Sequence, residues 1–139
     1  MAVDVVAPGN DGRWLGPDLV EKVAGTWRLV GSSCASCGAR YFPQTTVCPS
    51  CLGRDMTRVH LSEKGRLHSV TTVAMAPPGF RAPYRLAWVD LDDGPRAFGQ
   101  VVPADGGEPI VGDAMEVGVA VVRVDPDGTP IYGHVFTPA

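Results

Sequence analysis

Four cysteines at Cys34, Cys37, Cys48 and Cys51 constrain this chain more than any other feature. Their spacing is C-x2-C-x10-C-x2-C, and no other cysteine occurs in the 139 residues. Two residues between cysteines let a tight turn aim both sulfurs at one ion, and four thiolates complete a tetrahedral zinc site. The backbone after such a pair turns through positive φ, which glycine tolerates best. Gly38 follows Cys37 directly, Gly53 lies two positions after Cys51, and Pro49 stands inside the second turn. The x10 spacer, with Arg40-Tyr41-Phe42, is long enough for a short strand and its return. The pattern predicts a rubredoxin-like zinc ribbon holding one structural Zn2+. Two disulfides or four unrelated thiols are the alternatives, and disulfides would need an oxidising compartment. Iron also suits four thiolates. With all four positions cysteine, no coordination site is left for a substrate, so the metal is expected to stabilise the fold rather than catalyse.

The chain around this cluster reads as mainly β. Gly and Pro number 17 and 13, together well above the usual share of about 12 %, while 45 % of residues are hydrophobic. That is a turn-rich folded protein. Residues 1–13 read as a flexible lead-in without a basic signal-peptide start, so the expected compartment is the cytoplasm. No apolar run reaches the ~18 residues of a membrane-spanning helix. Residues 14–54 are expected to form a helix plus the zinc ribbon. In the helix, Pro17 would occupy the first turn, Asp18 and Glu21 its positive end, Leu15, Leu19 and Val23 one face, and Gly25 the stop. It would pack on its own domain or lie on a partner. Residues 55–139 are expected to form a five-stranded OB-fold barrel. Strand candidates are Met56–Leu61, Gly65–Met75, Tyr84–Leu91 (central, apolar on both faces), Ala97–Val102, Asp113–Val124 and Thr129–Phe136. Val119 and Val121 alternate with the opposite phase from Val122 and Val124, which predicts a bulge at Val121-Val122. Pro103–Gly107 reads as a loop.

Catalytic signatures are missing. The thiols are committed to metal, and there is no G-x-S-x-G elbow, phosphate-binding loop or dinucleotide-binding glycine motif. His60, His68 and His134 each stand alone in strand-like segments, where histidines usually just pack or hydrogen-bond. Asp90, Asp92 and Asp93 read as a turn before Gly94 rather than a carboxylate pair. The reading is therefore a binding or accessory module.

The order of motifs resembles the acyl-CoA-associated zinc-ribbon/OB-fold family. The resemblance rests on Cys34-Ala35-Ser36-Cys37-Gly38, Tyr41-Phe42-Pro43 and Cys48-Pro49-Ser50-Cys51, then on Gly65–Thr71, Pro83–Ala87 with Val89–Gly94, and Val111–Val117. It spans roughly residues 14–137. It implies an accessory subunit in a hetero-oligomer with a thiolase-like enzyme, including thiolase-fold aldolases of steroid side-chain breakdown. The partner would carry the chemistry on acyl-CoA thioesters, and this chain would stabilise it and contribute to the CoA site. One departure stands out: where the family often has Pro-Pro-Arg, this chain has Pro43-Gln44-Thr45. CoA is polyanionic and calls for Arg or Lys. Arg81, Tyr84 and Arg85, beside the Pro77–Pro83 loop, are the candidates for a CoA or partner contact, with solvated surface arginines as the plain alternative. A zinc-ribbon/OB module that binds nucleic acid is the competing reading. A net charge of −3 and 10 aromatic residues disfavour the basic, aromatic-lined groove it needs. A salt-dependent gel shift would revive it. An iron-holding redox or metal-transfer protein is the third.

Overall fold

A computed structural model describes residues 12–102 and 107–139. The lead-in therefore falls almost wholly outside the described residues, as does most of the Pro103–Gly107 segment. Among the described residues there are ten strands: β1 (Arg13–Trp14), β2 (Val20–Val23), β3 (Thr26–Cys34), β4 (Arg40–Tyr41), β5 (Met56–His60), β6 (Lys64–Val73), β7 (Tyr84–Leu91), β8 (Arg96–Val101), β9 (Ala114–Val124) and β10 (Pro130–Pro138). Among the described residues there is no helix, and so none long and apolar enough to cross a membrane.

The helix expected from Trp14 to Gly25 is not formed. The segment is extended: β1 runs parallel to β10, and β2 pairs antiparallel with β3 from Val20↔Leu29 to Val23↔Thr26. Ala24 (φ 51) and Gly25 (φ 83) are the two loop residues of that hairpin. Two successive positive φ angles belong to the type I′ turn, whose twist matches that of paired strands. Gly25 thus serves a hairpin rather than a helix stop. An isolated short helix must meet its nucleation cost alone, whereas β2 finds a ready edge in β3. Asp18 and Glu21, placed by sequence in a helical first turn, instead grip Arg58 of β5. Arg58 donates from Nε and Nη2 to the Asp18 carboxylate at 2.9 and 2.6 Å and also to Glu21. The guanidinium, aided by Gln44, holds the Asp18 carboxyl down to about 2.

The strands form two sheets. In the small one β3 is the hub, pairing β2 along its first half and both β4 and β5 along its second. Met56–His60 therefore extends the small sheet. In the large sheet, β6, β7, β8, β10 and β9 close into a ring, because β9 pairs both β10 and β6. The β8–β10 contact is parallel and the other four are antiparallel. This is the expected five-stranded OB-type barrel, with β7 interior to the sheet. The β9 bulge lies where the phase change put it: Ile131 pairs Arg123 and Tyr132 pairs Val121, leaving Val122 as the extra residue. A second bulge in β6 leaves His68 unpaired between Leu67 and Ser69.

One core serves both sheets. Leu29 of β3 and Leu61 after β5 are fully buried with Leu67, Val89, Met115 and Phe136 of the barrel, and Trp27, Phe42 and Val59 pack against them. His134 sits at this junction, 8 % exposed, edge-on to Phe42 at 5.1 Å. Its Nε2 lies 2.7 Å from the Phe98 carbonyl, so the ring donates there and Nδ1 is a buried acceptor with no partner among the described residues. Burial pushes its pKa below 6.5, against the Phe98 hydrogen bond. The folded chain keeps this imidazole neutral where the unfolded chain has begun to protonate. Unfolding then takes up a proton, so stability falls as pH drops through the ordinary histidine range. The slope is up to about 1.4 kcal/mol per pH unit. We expect Tm to fall between about pH 7.5 and pH 5.5 and His134→Gln to flatten part of that fall. An unchanged slope in the variant, measured by thermal unfolding, would contradict this.

Candidate functional site

The candidate metal centre is built by two matching turns. The first leaves the end of β3: Gly38 N–H donates to the Cys34 carbonyl and Cys34 N–H to the Ala39 carbonyl, both at 2.8 Å. The second repeats it: Leu52 N–H donates to the Cys48 carbonyl and Cys48 N–H to the Gly53 carbonyl, again both at 2.8 Å. Each turn needs positive φ at the position after its second cysteine. Gly38 supplies it at φ 78, but in the second turn the residue is Leu52, at φ 63 and 75 % exposed. Gly53 matters for a different reason: a Cβ there would stand 3.2 Å from the Cys51 sulfur.

The turns bring all four sulfurs within 4.8 Å of one another. Cys34 and Cys51 lie 3.6 Å apart, as do Cys37 and Cys48. Metal–sulfur bonds of ~2.3 Å in a tetrahedron give edges of ~3.8 Å, whereas a disulfide brings its sulfurs to ~2.05 Å. The thiols are free and their donor set fits one metal ion, with every corner filled by protein. Backbone dipoles favour charge on one sulfur of each turn. The N–H groups of Cys37 and Ser36 lower Cys34, and those of Cys51 and Ser50 hold Cys48 down to about 6. Cys37 is pushed up to about 11, the Ala39 N–H being outweighed by the neighbouring sulfurs and burial. Cys34 and Cys48 are buried and Cys37 and Cys51 exposed, so the site sits at the ribbon's surface with its anchoring side inward.

The barrel carries an open groove of about 770 Å³ between the β6–β7 loop, the end of β8 and the end of β9. OB-folds take ligands beside this loop. Phe80 stacks on Tyr84 with ring centroids 5.2 Å apart. Arg81, exposed, and Tyr84 both line the groove. Arg85 does not. Strand alternation turns it to the other face of β7, where its Nη1 donates to the Gly107 carbonyl at 2.8 Å and its Nη2 to Glu108 at 3.1 Å. The far wall, Val121–Val124 with Arg123, carried no sequence signal, since only ring closure brings β9 there.

The remaining polar candidates part company. Asp93 accepts from Ser62 N–H at 3.0 Å and from Arg40 at 3.3 Å, tying the β7–β8 turn to the ribbon. Asp90 accepts from Arg96 at 2.6 Å and faces His68 at 3.1 Å. His60 lies 3.3 Å from Glu21. The three histidines stand apart, as their sequence positions implied.

Comparison with known proteins agrees with this architecture. Residues 27–57 match the family model described as ChsH2, rubredoxin-like zinc ribbon domain, and residues 58–122 match ChsH2, C-terminal OB-fold domain. A DUF35 domain-containing scaffold protein of Methanocaldococcus jannaschii is 33 % identical over 114 residues, covering 79 % of this chain and 81 % of the relative. The benzoylsuccinyl-CoA thiolase subunit BbsA of Thauera aromatica is 34 % identical over 122 residues, covering 86 % and 84 %. A solved structure described as an Ltp2-ChsH2(DUF35) aldolase superposes with a TM-score of 0.64 at 28 % identity, over 80 % of this chain and 84 % of that one. With the four-cysteine ribbon, the closed five-stranded barrel and this extent of shared sequence, the chain belongs to the ChsH2/DUF35 family of zinc-ribbon/OB-fold proteins.

Proposed function

We propose that this chain is a non-catalytic accessory subunit of a thiolase-superfamily enzyme, a thiolase or thiolase-fold aldolase, acting on acyl-CoA thioesters. The observation that carries this reading is the 34 % identity, across most of both chains, to a protein that is itself a thiolase subunit. The resemblance to the Ltp2-ChsH2(DUF35) aldolase structure supports the same reading. The metal centre supports a structural role, because its four corners are protein sulfurs and its turns run directly into β3 of the shared core. In this reading Cys34, Cys37, Cys48 and Cys51 hold one zinc ion, which supplies fold stability and no chemistry. Arg81 and Tyr84 face the groove, where a guanidinium and an aromatic ring suit a phosphate and a base of CoA. Arg85, bonded to Glu108, supports the strand beneath.

The test is co-expression with whichever thiolase-like enzyme is encoded near it. We expect the two chains to co-elute on size exclusion, colourless and with about one zinc per accessory chain. A red preparation with stoichiometric iron would overturn the metal assignment. Failure of any neighbouring thiolase-like chain to co-elute would overturn the partner assignment. Arg81→Ala in the complex should raise the KM for acyl-CoA several-fold with the complex intact, since charged hydrogen bonds are worth about 1.5–3 kcal/mol.

A further inference from the structure

The outer face of the barrel between β7 and β8 carries an apolar pair with no cover among the described residues. Trp88 and Phe98 are 44 % and 42 % exposed and lie opposite each other across the two strands, ring centroids 5.0 Å apart. The next cross-strand pair on the same face is Asp90 opposite Arg96, joined at 2.6 Å. His68, set outward by the β6 bulge, borders Asp90 at 3.1 Å. On the inner face the alternating residues Ala87, Val89, Leu91 and Ala97 are buried. Large aromatic side chains next to an arginine are the composition of an interface centre.

The arrangement is self-complementary. Consider a twofold axis lying on this face, parallel to the strands and midway between β7 and β8. It carries β7 of one copy over β8 of the other. Because Asp90 and Arg96 are direct cross-strand partners, Asp90 of each copy then faces Arg96 of the other, and Trp88 faces Phe98. Within this four-residue patch each aromatic meets an aromatic and each charge meets its opposite, as an isologous contact requires, with the next pair, Leu86 opposite Gln100, at its edge. The four-residue patch holds one acidic and one basic side chain, so the chain's overall charge of −3 is not concentrated there. Two sheets stacked this way would pack in the aligned manner, close to parallel apart from their twist.

We propose that this face is a homodimer contact, so that two accessory chains associate through β7 and β8. This goes beyond the accessory-subunit reading and does not depend on it. Sedimentation velocity of the zinc-loaded chain over a concentration series tests it. A dimer is expected, and Trp88→Ala should raise its dissociation constant about tenfold or more, the loss expected of a central aromatic anchor. A decisive arm uses charge. Asp90→Arg alone and Arg96→Asp alone each place like charges across the axis and should be monomeric. An equimolar mixture of the two restores both cross pairs and should dimerise again, which a folding defect could not produce. A wild-type chain that stays monomeric throughout, or a mixture that does, would overturn the proposal. If the two charge variants lose the thiolase-like enzyme while dimerising as wild type, the face belongs to that enzyme and this proposal fails. If wild type is monomeric yet co-elutes with the enzyme, this proposal fails and the accessory reading stands. Dimerisation without any enzyme bound has the opposite meaning.

Discussion

Replacing Cys48 with alanine is expected to unfold the barrel along with the ribbon. The residue is buried, and its sulfur lies 3.6 Å from that of Cys37 as one corner of the four-sulfur cluster. A structural zinc site contributes about 10–16 kcal/mol in isolated zinc-finger peptides, whereas a whole domain is stable by only about 5–15 kcal/mol. A ribbon attached by a loose linker could melt alone. This one cannot, because Leu29 and Leu61 belong to the same buried cluster as Phe136, Val89 and Met115. Loosening β3 opens that cluster to water. Cys48→Ala should therefore give insoluble protein or one without cooperative unfolding, and Cys34→Ala should match it. Metal analysis together with circular dichroism and a thermal melt reads the result. A soluble, metal-free chain that still melts cooperatively near the wild-type Tm would contradict it. The same coupling predicts acid sensitivity, since protons compete with the ion for thiolates.

Phe136→Ala is expected to cost about 3–5 kcal/mol, the range for deleting a buried aromatic side chain. Phe136 is fully buried on β10, opposite Val117 of β9 and beside Val101 of β8, so it sits between its own strand and two other barrel strands. Its ring lies 6.1 Å from that of His134, which in turn meets Phe42 of the ribbon. The cavity would sit where the two sheets join, and closed rings of strands relax poorly around a void. The comparison is Trp88→Ala, a larger deletion on the outer face, which should cost the isolated fold far less. Urea unfolding of both variants checks the ranking, and an equal loss from each would show that the core is not centred where Phe136 lies.

Much of this protein is legible in its sequence. The cysteine spacing is a local constraint, and local constraints survive folding: both turns form as the C-x2-C pairs require, with the positive φ at the expected position. Only the residue type differed, since Leu52 occupies a position better suited to glycine. Strand periodicity was equally direct. The apolar pattern of Tyr84–Leu91 matches β7 residue for residue, and the Val122 bulge shows as a change of phase. The error at residues 14–25 has a simple cause. Leu15, Leu19 and Val23 sit at helical spacing, but Val20 and Val23 also suit a strand, and only the presence of the β3 edge decides between them.

What the sequence alone determined was therefore the four-cysteine cluster, the β character and the family. Those rest on spacing and order within short windows. What the tertiary structure decided was which distant pieces meet. Closure of β9 onto β6 and β10 placed Val121–Val124 across from Arg81 and Tyr84. That closure leaves no mark in the local pattern, because it depends on strand register between segments far apart in the chain, and register is set by burial and hydrogen bonding of the whole sheet.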